Sequence, residues 1–364
     1  MIQIDLVTGF LGSGKTTFLK KYAEYLVSQG FHVGIIENDF GAVNIDMLML
    51  QDLLGDRIDV EQIVGGSVVT DWKRRFRTKL ISMAMRGFNR ILVEPSGIYD
   101  VDAFFDVLHD EPIDAWYEAG NIITILDANM DEQLSRQEEY LMVSQSANAG
   151  KILLSKTQDS SPQAMQNTIS HLNRIMEQFK CPRRFSLPPD ALRLHDHPFS
   201  SSSDNTAAPV PADMIVSDRV DIFPDASEHT AAPISDASVI FCKPWDDLTE
   251  ADFASIASCG WVRADHEKLW FDPKKAFSSL FFMHVKCSQE ELKNAVTKIF
   301  EAKDLGTVFR IKGYLPLPEG DWLQLNATPG NLITQRVPIG QEILIVIGQD
   351  LQESALKPYF FPTA

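Results

Sequence analysis

Cysteine is scarce in this chain of 364 residues: there are four, Cys181, Cys242, Cys259 and Cys287. None precedes residue 181 and no two form a CxxC pair. A disulfide framework is therefore not expected, and the usage fits a reducing cytosol. Basic residues are also few, 33 Lys plus Arg against 50 Asp plus Glu, for a formal charge of −17. That balance argues against nucleic acid or an anionic membrane as a partner, since both need a basic surface. Lys73, Arg74, Arg75 and Arg77 make only a local basic patch. No apolar run reaches membrane-spanning length, and the longest, Ile122 to Leu126 and Ile343 to Ile347, are strand-sized. Asp5 and a glycine-rich motif stand where a signal peptide would carry its apolar core, so a cytoplasmic location is expected. What remains, 45% apolar and 23% charged residues, is an ordinary globular mixture able to bury its own core.

Short apolar runs alternate with helical patterns through the first half. The runs Ile2–Val7, Val33–Glu37, Ile91–Val93, Ile122–Leu126 and Ile152–Leu154 read as buried strands, and 15–29 and 71–86 as helices. This pattern predicts an α/β fold with a parallel sheet, right-handed crossovers and helices on both faces. Between Ala191 and Ser235 there are seven Ser and five Pro, which reads as a linker or irregular excursion. From Ala237 onward a strand, a helix and several hairpin-spaced strands predict a smaller α+β unit with a mainly antiparallel sheet. The expected organisation is 1–190 as a nucleotide-binding domain, 191–235 as linker and 236–364 as the second domain.

The nucleotide assignment rests on Gly9-Phe10-Leu11-Gly12-Ser13-Gly14-Lys15-Thr16, which matches GxxxxGK[ST] at every fixed position. A strand precedes it and a helix follows, as the motif requires. Gly9, Gly12 and Gly14 let the backbone curl so that its N–H groups, Ser13 among them, face phosphate oxygens. The helix N-terminus adds its positive end. Lys15 is expected on the β- and γ-phosphates and the Thr16 hydroxyl on Mg²⁺.

Three further segments fit the same ligand. Glu94-Pro95-Ser96-Gly97 follows an apolar strand, so the Glu94 carboxylate is expected at Mg²⁺ and the Gly97 N–H at the γ-phosphate. Glu37-Asn38-Asp39 ends the second strand, where ligands bind in such sheets. It reads either as a switch loop near Mg²⁺ and the attacking water or as a solvated turn. Ser155-Lys156-Thr157-Gln158 stands where GTPases carry NKxD. There an Asp pairs with guanine, and a neutral Gln lacks that charge-assisted pairing. The choice between GTP and ATP thus stays open.

Together these pieces resemble the CobW-like family of P-loop GTPases, relatives of the urease and hydrogenase nickel-insertion GTPases. The matching segments are VTGFLGSGKTTFL, IIENDFGAVNID, VEPSG, ITILDA, QSANAGKILLSKT and, more loosely, VFRIKGYLPLPEGDWLQL. The resemblance implies a SIMIBI-class G domain, a CobW C-terminal domain, and slow GTP hydrolysis coupled to delivery of a metal or metallocofactor to a client protein. By position it implies that Gly12, Gly14, Lys15, Thr16 and Thr17 bind phosphate and Mg²⁺. It places Glu37, Asp39 and Glu94 around the metal and γ-phosphate, with Lys15, Asp39 and Glu94 as the catalytic set. Ser155 and Lys156 lie by the base. A client metalloenzyme or cofactor-dependent protein, and a homodimer, are the expected partners.

One departure is large. The family's GCxCC segment supplies thiolates to a transition metal, and here Gly66, Val68 and Val69 stand in those places. Val offers no ligand atom, so no transition-metal site is expected in the G domain. The chain then handles a cofactor, such as a corrinoid, through its client, or moves a partner without holding metal. His195-Asp196-His197 is a poor alternative metal site. A degenerate non-hydrolysing scaffold and a small-molecule kinase are the competing functions.

Overall fold

The structure, a computed structural model, describes residues 1–38, 50, 53–63, 69–130, 134–192, 234–236, 239–271, 276–285, 287–318 and 320–361. Its first sheet contains β1 (Ile2–Thr8), β2 (Val33–Asn38), β3 (Ile58–Ile63), β4 (Arg90–Glu94), β5 (Tyr117–Asp127) and β6 (Lys151–Ser155). After a small parallel ribbon of β7 (Arg183–Phe185) and β8 (Ile234–Asp236), β9 (Ile240–Phe241) completes it. The order is β3-β2-β4-β1-β5-β6-β9, and all neighbours run parallel. β2 and β4 are buried at every position, as strands covered on both faces should be.

Helix α1 (Lys15–Ser28) covers one face, where Phe18, Leu19 and Tyr22 meet Val7, Ile35 and Ile125. On the other face lie α2 (Val69–Ala84), α3 (Asp102–Leu108), α4 (Ile113–Trp116), α5 (Arg136–Ala147) and α6 (Pro162–Gln178). Local chemistry sets their starts. Ser135 and Glu138 form a reciprocal capping box on α5. Ser161 caps α6, whose first residue is Pro162.

The second unit was expected to open at residue 236. Instead β9 pairs with β6 through Ile152↔Ile240 and Leu153↔Phe241. Helix α7 (Glu250–Ala257) then packs Phe253 and Ile256 into the α1 face. The physical reason is that β6 would otherwise present an open edge to solvent. The second sheet comprises β10 (Ser278–Met283), β11 (Thr307–Pro316), β12 (Trp322–Thr328), β13 (Asn331–Val337) and β14 (Ile343–Gln349). Its order is β10-β14-β11-β12-β13, antiparallel throughout. Helices α8 (Gln289–Glu301) and α9 (Glu353–Phe360) bury Leu292, Val296 and Leu356 against one face. On the opposite face Tyr314, Ile343, Ile345 and Ile347 meet Leu11 of the glycine-rich loop. That contact seats the second sheet beside the glycine-rich loop at the C-terminal edge of the first.

Candidate functional site

The loop after β1 turns through three glycines of positive φ: Gly9 (144°), Gly12 (74°) and Gly14 (92°). Only glycine takes such angles without strain. Ser13 N donates to Phe10 O at 3.3 Å, and Lys15 Nζ donates to the same carbonyl at 3.3 Å. No side chain caps α1, so its first N–H groups face the loop's mouth. The buried Ser13 Oγ has no hydrogen-bond partner among the described residues. A phosphate oxygen is the acceptor such a hydroxyl fits.

Beyond the loop, β1, β2, β4, β5 and β6 bring their C-terminal ends together. Thr16 Oγ1 donates to Glu94 Oε1 at 2.7 Å. Glu94 is buried and lies in parallel register with the equally buried Glu37. A hydroxyl and two carboxylates on adjacent elements make a hard, all-oxygen donor set suited to Mg²⁺. Gly97 lies against the loop itself: a Cβ there would stand 2.5 Å from Leu11 N. Thr17 is exposed on the first turn of α1 and lines a cleft it shares with Gly12, Gly14 and Lys156.

At the end of β5, Asp127 pairs with the Lys156 ammonium and accepts from Asn129 N at 2.9 Å. Lys156 itself has φ 57°, at the turn after β6. Ser155 Oγ donates to Leu126 O at 3.2 Å, and Ser155 Cβ lies 3.7 Å from where a Gly14 Cβ would stand. Gln158 is exposed, and its amide nitrogen donates to Asp159 at 2.9 Å. The structure thus gathers Gly9, Gly12, Ser13, Gly14, Lys15, Thr16, Glu37, Glu94 and Gly97 along one sheet edge, with Ser155 and Lys156 at its far side.

One sequence reading changes. Asn38 is buried rather than solvated: its amide donates to Ile63 O at 2.9 Å and accepts from Trp72 Nε1 at 3.1 Å. It braces β2 against β3 and α2. Asp39, Gly66, Val68 and the 195–197 histidine pair lie outside the described residues, and Val69 opens α2. Among the described residues no group of three His, Cys, Asp or Glu could hold a metal ion. Burial pushes the Cys242 and Cys259 thiols up to about 12, the behaviour of small core hydrophobes.

Sequence reasoning missed the cleft wall opposite Lys156. Trp245, Asp246 and Asp247 follow β9, while Asn326, Thr328 and Asn331 come from the β12–β13 hairpin. These residues are far apart in sequence and match no motif. The one available signal was a tryptophan between a proline and two acids just after a short apolar run.

Comparison with known proteins follows the same lines. The family model described as CobW/HypB/UreG, nucleotide-binding domain, matches residues 3–185. The zinc chaperone YjiA of Escherichia coli K12 is 29% identical over 168 residues, 43% of this chain and 49% of its own. The zinc chaperone YeiR of the same strain is 27% identical over 169 residues, 46% of this chain and 50% of its own. The chain spans about half the length of these relatives. The crystal structure of Zn(II)-bound YjiA GTPase from E. coli overlays with a TM-score of 0.33 at 18% identity, covering 99% of this chain and 98% of that one.

Proposed function

Because this chain belongs to the CobW/HypB/UreG nucleotide-binding domain family, we propose that it binds a nucleoside triphosphate with Mg²⁺ and hydrolyses it slowly. The cycle switches a chaperone that acts on a metal- or metallocofactor-dependent client. The observation that carries the reading is the Thr16–Glu94 hydrogen bond of 2.7 Å at the foot of the glycine loop, with Glu37 in register beside it. Thr16, Glu37 and Glu94 would hold the Mg²⁺, which supplies charge neutralisation to the phosphates when bound. The chain's own part is to grip and orient. Backbone N–H groups and Ser13 Oγ face the phosphates, and Lys15 adds a charge-assisted contact. Gly97 would offer its N–H to the γ-phosphate. Asp39 is the proposed partner of the attacking water.

Zinc handling is what the names of YjiA and YeiR state of those proteins. For this chain, with Gly66, Val68 and Val69 in place of thiolates, we favour a switch that acts on a client already carrying its metal or cofactor. A homodimer fits that role. A second reading, a non-hydrolysing scaffold, is favoured by Gln158 and by the missing thiolates at Gly66, Val68 and Val69.

The test is nucleotide titration followed by multiple-turnover phosphate release. Lys15→Ala removes a contact worth about 1.5–3 kcal/mol, so triphosphate affinity should fall about tenfold or more. Unchanged affinity overturns the assignment. Phosphate release without an acceptor separates the switch from a kinase, and no release at all selects the scaffold.

A further inference from the structure

The cleft beside the glycine loop has a wall that no recognised motif supplies. Immediately after β9, Trp245–Asp247 forms one 3-10 turn, closed by Asp247 N donating to Pro244 O at 3.1 Å. Two contacts fix it to α1. Lys21 Nζ pairs with Asp246 at 2.8 Å, and the Trp245 ring lies 5.4 Å from that of Phe18. Trp245 Nε1 stands 3.6 Å from where a Gly14 Cβ would be, so the indole flanks the last glycine of the loop. The resulting cleft, about 450 Å³, has Thr17, Lys156 and Gln158 on its other sides. It is roomy enough for a purine and ribose reaching out from the phosphates.

The hydrogen-bonding pattern of the cleft selects the purine. Guanine presents two donors side by side, N1–H and the 2-amino group, which call for an acceptor-only carboxylate. Adenine's corresponding edge carries an acceptor at N1, which a carboxylate repels. Gln158 is neutral, and its amide nitrogen already donates to Asp159. Of the two carboxylates lining the cleft, Asp246 is held by Lys21. We infer that Asp247 is the specificity-determining carboxylate that reads guanine in this chain, with Trp245 as the flat wall against the base. The acceptor normally expected at position 158 has moved to the loop after the neighbouring strand. This inference rests on the triphosphate-binding reading above.

The experiment uses the full chain with Mg²⁺ and measures dissociation constants for GTP, ATP and xanthosine triphosphate. Xanthine keeps N1–H but has an acceptor at C2, so an Asp-to-Asn exchange suits it. The wild type should prefer GTP over both competitors. Asp247→Asn should weaken GTP by about tenfold or more and tighten xanthosine triphosphate, while ATP binding persists as evidence of an intact fold. Gln158→Ala should leave GTP preferred over xanthosine triphosphate. If Asp247→Asn leaves the GTP-to-xanthosine ratio unchanged, or if Gln158→Ala abolishes it, Asp247 is not the reader and triphosphate binding still stands. If the wild type binds none of the three, the parent reading fails and takes this one with it.

Discussion

Asp5 shows how much one polar side chain can organise. It is fully buried, and Arg90 clasps it through Nε at 2.9 Å and Nη2 at 2.8 Å. Tyr22 Oη donates to it at 2.8 Å and Asn121 N at 2.7 Å. Asn121 in turn holds Ala257 O and Gly260 N. One carboxylate thereby joins β1, β4, β5, α1 and the end of α7. Burial pushes the Asp5 carboxyl up, against the opposing pull of Arg90 and the other donors. Burial, then the adjacent Asp5, pushes the Tyr22 phenol well above its usual range, so it stays a donor. Arg90→Met strands the carboxylate, and losing one partner of a buried pair costs about 3–5 kcal/mol. Urea unfolding should show that loss, and Asp5→Leu added to Arg90→Met should recover much of it. An unchanged midpoint for the single variant would contradict the network. At this scale the glycine loop was legible because its spacing is dictated by phosphate geometry. Asp5 was not, because sequence registers a polar residue in a strand without revealing its distant partners.

Among the elements, the loop and the turn before α3 depend on each other. A Cβ on Gly97 would meet Leu11 N at 2.5 Å and Phe10 C at 2.8 Å, both backbone atoms that cannot swing aside. Gly97→Ala therefore overpacks the contact, at about 1–3 kcal/mol. Triphosphate affinity should fall while the melting temperature drops only a few degrees, checked by titration and calorimetry together. Retained affinity would show that the loop tolerates displacement. A second dependence lies in the irregular strap at 261–271. There Glu267 N donates to Phe179 O at 2.6 Å, and His266 packs 5.8 Å from the Tyr140 ring. Burial, reinforced by Lys268, holds His266 below its ordinary value of 6.5, with Asp102, Asp100 and Asp265 pulling the other way. A depressed histidine favours the folded state only while neutral. Its contribution is present above the unfolded value and is lost as pH falls through the folded one. The urea midpoint should decline as pH falls below the ordinary histidine value of 6.5, and His266→Phe should flatten that slope. Element boundaries were legible where the sequence carries a stop signal: α1 ends at Ser28, just before Gly30 at φ 91°. Helix α5 escaped notice because it is buried nearly all round, leaving no amphipathic period to read.

For the whole molecule, the two sheets meet at the nucleotide edge. Phe10 lies edge-on to Phe309 with centroids 6.3 Å apart, and the Thr328 methyl stands 2.5 Å from where a Gly12 Cβ would be. Sequence disclosed both sheets but not this meeting, because contacts between remote segments leave no local pattern. Metal handling also belongs at this scale. Zn²⁺ titrated into the full chain, with a chelator of known affinity as competitor, should show no stoichiometric submicromolar site at residues 1–190, since Gly66-Ser67-Val68-Val69 offers no thiolate. A tight site surviving Cys181→Ser would restore the zinc-carrying role. The hairpin resting on Gly12 carries one more consequence. A partner that grips the second sheet, and whose affinity changes by some factor when nucleotide binds, must change nucleotide affinity by that same factor. Under the proposed switch, thermodynamic reciprocity would make the hairpin a two-way lever, with a bound client shifting nucleotide affinity as fully as nucleotide shifts the client's.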